Sequence, residues 1–203
     1  MIVVVDSGTG NFQSVVRMVQ SLGFKVKLTN NYSEIEAADK IILPGVGHFD
    51  KVSLALSKNN LSELIKLKAV VQKTPILGIC VGMQLFCNGS EEGKEPGFGL
   101  INADVVKFSA DTKKGLKIPH MGWNNVVSVR ENPLIPMGVS DERFYFVHSY
   151  YVKPKEDNIT IGVSEYGSLF CSAFMKDNLF GVQFHPEKSH RFGKQLIRNF
   201  LEI

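Results

Sequence analysis

The chain has 203 residues, is 44% hydrophobic and 21% charged, and carries a formal net charge of +3. That length suits one domain with a sizeable core, and so mild a charge gives no footing for nucleic acid. Its N-terminal apolar run, Ile2 to Val5, is too short for a signal peptide or a membrane span. Three irregularly spaced cysteines (Cys80, Cys87, Cys171), with no CxxC or Cys/His cluster, build neither a disulfide framework nor a metal site. A reduced, cytoplasmic enzyme or binding protein is the expectation, with no membrane association.

The predicted elements begin with Ile2 to Val5, a continuous apolar run ended by Asp6 and read as a buried parallel strand. Phe12, Val15, Val16, Val19 and Leu22 recur at helical spacing, and Gly23 supplies a stop. Residues 25–28 alternate as an edge strand would. Ile41-Ile42-Leu43 reads as a buried strand broken by Pro44, helices are expected near 49–57 and 61–73, and Ile76 to Ile79 forms a fourth apolar strand. A helix over Val81 to Cys87 follows. This alternation implies a parallel sheet with right-handed crossovers.

After residue 98 the texture changes to short strands separated by turn residues. Strands are expected at 105–106, 125–129, 143–152, 159–163, 169–174 and 179–184, with Lys176-Asp177-Asn178 turning a hairpin between the last two. A closing helix carries Phe192, Leu196, Ile197, Phe200 and Leu201 on one face. The predicted fold class is α/β: a mostly parallel central sheet flanked by helices, with antiparallel strands added in the C-terminal half, as a single domain over 1–203.

Residues 77–86 read LGICVGMQLF, and Cys80 there admits two readings. Free cysteine is among the most buried residue types, so a core filler is the bland one. The sharper one notes that Cys80 ends a strand just before a helix, flanked by Gly78 and Gly82. That is the G-x-nucleophile-x-G pattern of a nucleophile elbow, whose glycines let strand and helix backbones approach. The turn would aim the Val81 N–H at a substrate, and the helix N-terminus would favour a thiolate.

A cysteine nucleophile needs a base and a group to orient it. Of five histidines, His185 stands out in Phe184-His185-Pro186-Glu187, directly after an apolar strand. Pro186 keeps His185 extended, and in an extended segment His185 and Glu187 project to the same side, so the carboxylate can fix the imidazole. A solvated turn is the alternative. A second oxyanion donor is expected from Pro44-Gly45-Val46-Gly47, which also follows a parallel strand; a plain tight turn explains its Pro and Gly equally well.

Taken together, LGICVGMQ, PGVG and FHPE resemble the class I glutamine amidotransferases. The stretches DSGTGN at 6–11, PGFGL at 96–100, PHMGWN at 119–124 and FYFVHSY at 144–150 are similar to the glutaminase-subunit family of imidazole glycerol phosphate synthases, nearly end to end. The resemblance implies a Cys80–His185–Glu187 triad that hydrolyses glutamine to glutamate and ammonia without a cofactor. Gly47, Gln84 and the backbone at Ser149 and Tyr150 would hold the substrate. Ammonia would pass to a separate cyclase subunit, forming a heterodimer through Asn11, Pro119, Met121 and Trp123, for histidine biosynthesis. Two departures stand out: Ser7 replaces the family's usual tyrosine, and Phe12 its leucine. The run 189–193, SHRFG, resembles paralogues that feed surface-sugar amidation, which is the alternative.

Overall fold

The structure, a computed structural model, describes residues 1–10, 12–109, 116–138 and 142–203. Its N-terminal half alternates β1 (Ile2–Val5), α1 (Gln13–Ser21), β2 (Val26–Thr29), α2 (Tyr32–Glu36) and β3 (Lys40–Gly45). Then come α3 (Phe49–Lys58), α4 (Leu61–Val70), β4 (Ile76–Cys80) and the single turn α5 (Val81–Gln84). The strands pair in parallel in the order β2-β1-β3-β4. All residues of β1 and β4 are buried, as expected of parallel strands with both faces covered. α1 packs against the C-terminal helix α6 (His190–Glu202), while α4 packs against α2 and α3.

Two boundaries differ from expectation. Pro44 does not break its strand but pairs with Ile79 inside β3. The ladder with β1 ends at the Val4–Ile42 pair, so the proline lies where one flank of β3 has no strand partner to lose. The helix after Cys80 stops at Gln84, because the Phe98, Gly99 and Leu100 N–H groups take the carbonyls of Leu85, Cys87 and Phe86.

The second half contributes β5 (Ala103–Lys107), β6 (His120–Asn125), β7 (Val127–Ser128), β8 (Arg143–His148) and β9 (Tyr150–Pro154). After these run β10 (Thr160–Tyr166), β11 (Ser168–Lys176) and β12 (Leu179–Val182). β12 joins β4 in parallel, and β11, β10 and β7 extend the sheet antiparallel. The strand expected over 143–152 is two strands. It divides at Ser149, whose carbonyl accepts from Phe108 N at 3.0 Å: β8 leaves to pair with β6 as a separate two-stranded ribbon, and β9 pairs with β5 and β11. β6 itself lies largely ahead of the strand expected at 125–129. Among the described residues no helix is long and apolar enough to cross a membrane.

Candidate active site

Cys80 closes β4 and opens α5 with φ 54° and ψ −113°. A non-glycine residue rarely takes positive φ, so strain is stored at this residue. The neighbouring backbone leaves it no alternative. A Cβ built at Gly82 would run into the Leu43 carbonyl oxygen, one at Gly78 would stand 2.7 Å from the Gly82 carbonyl oxygen, and one at Gly45 2.6 Å from the Gly82 nitrogen. Strands β3 and β4 and helix α5 therefore touch main chain to main chain, and the register sets Gly45 opposite Cys80. Gly47, at φ +99°, completes the turn after β3.

His185 follows β12 and is extended, at φ −103° and ψ 96°. Residues 186–188 then form a 3-10 turn begun by Pro186, whose fixed φ suits a first turn. Glu187 thus reaches His185 around a turn and not along an extended chain: Nδ1 lies 2.7 Å from Oε1. Backbone bonds brace the pair. His185 N donates to the Tyr145 carbonyl at 2.9 Å, and Ser189 Oγ donates to the His185 carbonyl at 2.6 Å while accepting from Tyr145 N at 3.0 Å. Burial alone would depress the imidazole. The charge and hydrogen bonding of Cys80, followed by those of Glu187, outweigh it and raise His185 to about 10. These neighbours thus favour the charged form of the imidazole.

A cavity of about 340 Å³ gathers Val46, Gly47, Cys80, Val81, Gln84, Ser149, Tyr150 and His185, with Pro119 on its lining as well. Gly45 and Glu187 border a smaller one of about 140 Å³ that shares Val46 and His185 with the first. Met121 and Trp123 lie outside both, 62% and 46% exposed on β6, so the tryptophan is not a core filler. Its ring stacks on His190 at 5.5 Å and 6°. Asn11 lies outside the described residues.

Three residues that the sequence did not single out for the site belong to its surroundings. Gln183 is fully buried, and its Nε2 donates to Cys80 Sγ at 3.6 Å while its Oε1 accepts from Gln84 Nε2 at 3.0 Å. Its position directly after β12 and two residues before His185 is the only local signal of it. Glu92 lines the main cavity, held by the Phe49 N–H at 2.8 Å, and His148 lines it from the end of β8. The other two cysteines are different in kind. Burial raises the Cys87 thiol well above its ordinary value and pushes Cys171 up to about 12, so neither offers a thiolate. Among the described residues no group of His, Cys, Asp and Glu side chains could hold a metal ion.

A strained cysteine on a strand–helix elbow, sharing one cavity with a buried His–Glu pair, is the arrangement of the nucleophile-elbow class of proteins. Comparison narrows the class. A family model described as class-I glutamine amidotransferase matches residues 3–203. The chain is 45% identical to imidazole glycerol phosphate synthase subunit HisH 2 of Pseudomonas aeruginosa over 204 residues, covering all of both chains. It is 47% identical to the subunit of the same name from Methanococcus maripaludis over 202 residues, covering 100% of this chain and 99% of that one. A crystal structure of a glutamine amidotransferase superposes with a TM-score of 0.78 at 15% identity, over 100% of this chain and 98% of that one, which speaks for the fold. The chain belongs to the class-I glutamine amidotransferases and, within them, to the HisH subunits of imidazole glycerol phosphate synthase.

Proposed function

We propose that this chain hydrolyses glutamine at Cys80 and delivers the ammonia to a cyclase subunit that makes imidazole glycerol phosphate. The observation that carries the chemistry is the strained Cys80 opposite Gly45, in one cavity with a His185 paired to Glu187. The thiolate attacks the carboxamide carbon, and the oxyanion that forms is met by the N–H of Val81 and by N–H groups of the 45–47 turn. His185 gives its proton to the departing ammonia, leaving a glutamyl thioester. It then takes a proton from water, whose oxygen displaces the thiolate and releases glutamate. Glu187 keeps the imidazole oriented through both steps.

Gln84, Gly47, Ser149 and Tyr150 line the cavity in which the substrate would sit. Met121 and Trp123 project from the ribbon's outer face, and an exposed Met and Trp on one strand suit an apolar partner surface, with Pro119 just before them in the chain and Asn11 added on the family resemblance alone. The names borne by the relatives favour ammonia delivery for imidazole glycerol phosphate over sugar amidation. As a biosynthetic subunit it works in the cytoplasm. Glutamate release, measured with and without the cyclase subunit, tests the reading. Cysteine-dependent turnover in the complex is expected, and no such turnover would sink it.

A further inference from the structure

Two buried histidines outside the triad form a hydrogen-bond chain whose direction is dictated at every link. The Tyr150 carbonyl, in the glutamine cavity, can only accept. His148 Nδ1, 2.8 Å away, must therefore carry a proton. Burial lowers His148 to about 3, so the ring is neutral and its Nε2 is an acceptor. His120 Nδ1, 2.9 Å from that nitrogen, is then the donor. His120 is itself lowered by burial to about 4, leaving Nε2 to accept from Asn124 Nδ2 at 3.2 Å. The second Asn124 hydrogen goes to the Glu165 carbonyl at 2.9 Å.

The same carbonyl sets the other arm. Gln84 Nε2 donates to it at 3.2 Å and to Gln183 Oε1 at 3.0 Å, and Gln183 Nε2 faces Cys80 Sγ. Flipping either amide would set oxygen against oxygen or remove the donor to sulfur. With both hydrogens spent, Gln84 can only accept from a bound ligand.

The chain ends on the exposed ribbon. His120 and Asn124 point inward from β6, alternating with the exposed Met121 and Trp123, and His120 sits directly opposite His148 in the β6–β8 register. Aromatic rings clamp both imidazoles: His120 stacks on Tyr166 at 4.1 Å and on Phe146 at 4.8 Å, and His148 packs on Phe108 at 5.2 Å.

We propose that His120 and His148 are positioning residues of the glutamine pocket, pinning the Tyr150 carbonyl, and through it Gln84, Gln183 and the Cys80 sulfur, to the ribbon that carries Met121 and Trp123. The proposal rests on the glutaminase reading. Its immediate consequence is that substrate affinity depends on two imidazoles of which only one lines the cavity.

The test uses the complex with the cyclase subunit. His148→Leu removes the donor to Tyr150, and the KM for glutamine is expected to rise about tenfold, in line with one lost hydrogen bond. His148→Asn, whose Nδ2 stands where Nδ1 did, should restore most of it even where the leucine variant fails to fold. In His120→Leu, Cys80 should react more slowly with a glutamine-mimicking chloroketone. Nitrogen-15 spectra of labelled histidine should report both rings as the Nδ1–H tautomer. An Nε2–H tautomer at either ring, or a KM in both leucine variants within about twofold of wild type, overturns the proposal. A wild-type complex with no glutamine turnover overturns the glutaminase reading and this proposal with it, whereas normal turnover with unchanged variants overturns this proposal alone.

Discussion

Around Cys80, β3 and β4 contribute buried apolar side chains, and the geometry is set by main chain pressed on main chain at Gly45, Gly78 and Gly82. Around His185 the reverse holds. Gln183, His185, Ser189, His148 and His120 are all buried polar residues, each fixed by hydrogen bonds to groups on other elements. The parallel half thus builds a rigid platform for one strained atom, while the antiparallel half supplies side chains whose directions depend on one another. Backbone crowding tolerates no added carbon, and a buried polar network tolerates no missing partner, since an orphaned group costs about 1–3 kcal/mol.

Substitutions at the two regions should fail in correspondingly different ways. The largest effect is expected at the elbow itself. Cys80→Ala should lower glutamate release by the complex on the order of 10⁴-fold or more, whereas Cys87→Ala and Cys171→Ala should keep turnover, as a coupled glutaminase assay would read. On the polar side, Glu187→Gln should reduce kcat on the order of a hundredfold, because the imidazole loses its orienting carboxylate. It should also lower the His185 value from about 10, followed by NMR titration of the ring. The sign for stability follows. A raised imidazole contributes fully below its ordinary 6.5 and loses that contribution as pH rises through about 10, so the variant should lose it at a lower pH.

Gly82→Ala sharpens the contrast, because it alters no polar group yet drives a methyl into the Leu43 carbonyl oxygen. A loss of about 2–3 kcal/mol in urea unfolding is expected, with activity falling in proportion to the displaced elbow. Trp123→Ala should leave the fold intact and weaken binding to the cyclase subunit by about 2 kcal/mol, read by calorimetry. The last effect concerns acid. His120 and His148 are lowered to about 4 and about 3, so the unfolded chain binds protons that the folded one refuses. Stability should fall as pH drops below about 6.5, and less steeply in His148→Asn, as urea midpoints across that range would show.

The linear chain already carried the strained cysteine and its turn, because an elbow is local: strand, Gly, Cys, Gly and helix occupy one short stretch, and steric exclusion at positions 78 and 82 demands glycine in this turn. It also carried the parallel half, since strands buried on both faces announce themselves as unbroken apolar runs. The division of 143–152 at Ser149 was not legible. Arg143 to Val152 reads as one nearly continuous aromatic and apolar stretch, and the Phe108 N–H, from far along the chain, meets it at Ser149, where the two strands part into different sheets.

Nor could spacing announce Gln183, Glu92 or the His120–His148 pair. A buried hydrogen bond needs two groups brought within 3 Å or so by folding, and nothing in the order of residues records which strands will lie opposite. Sequence pointed to the residue that is strained and to the histidine that shares its cavity. Tertiary structure decided how the base reaches its carboxylate, around a 3-10 turn, and which polar side chains hold the pocket, because strand register, not distance along the chain, sets those contacts.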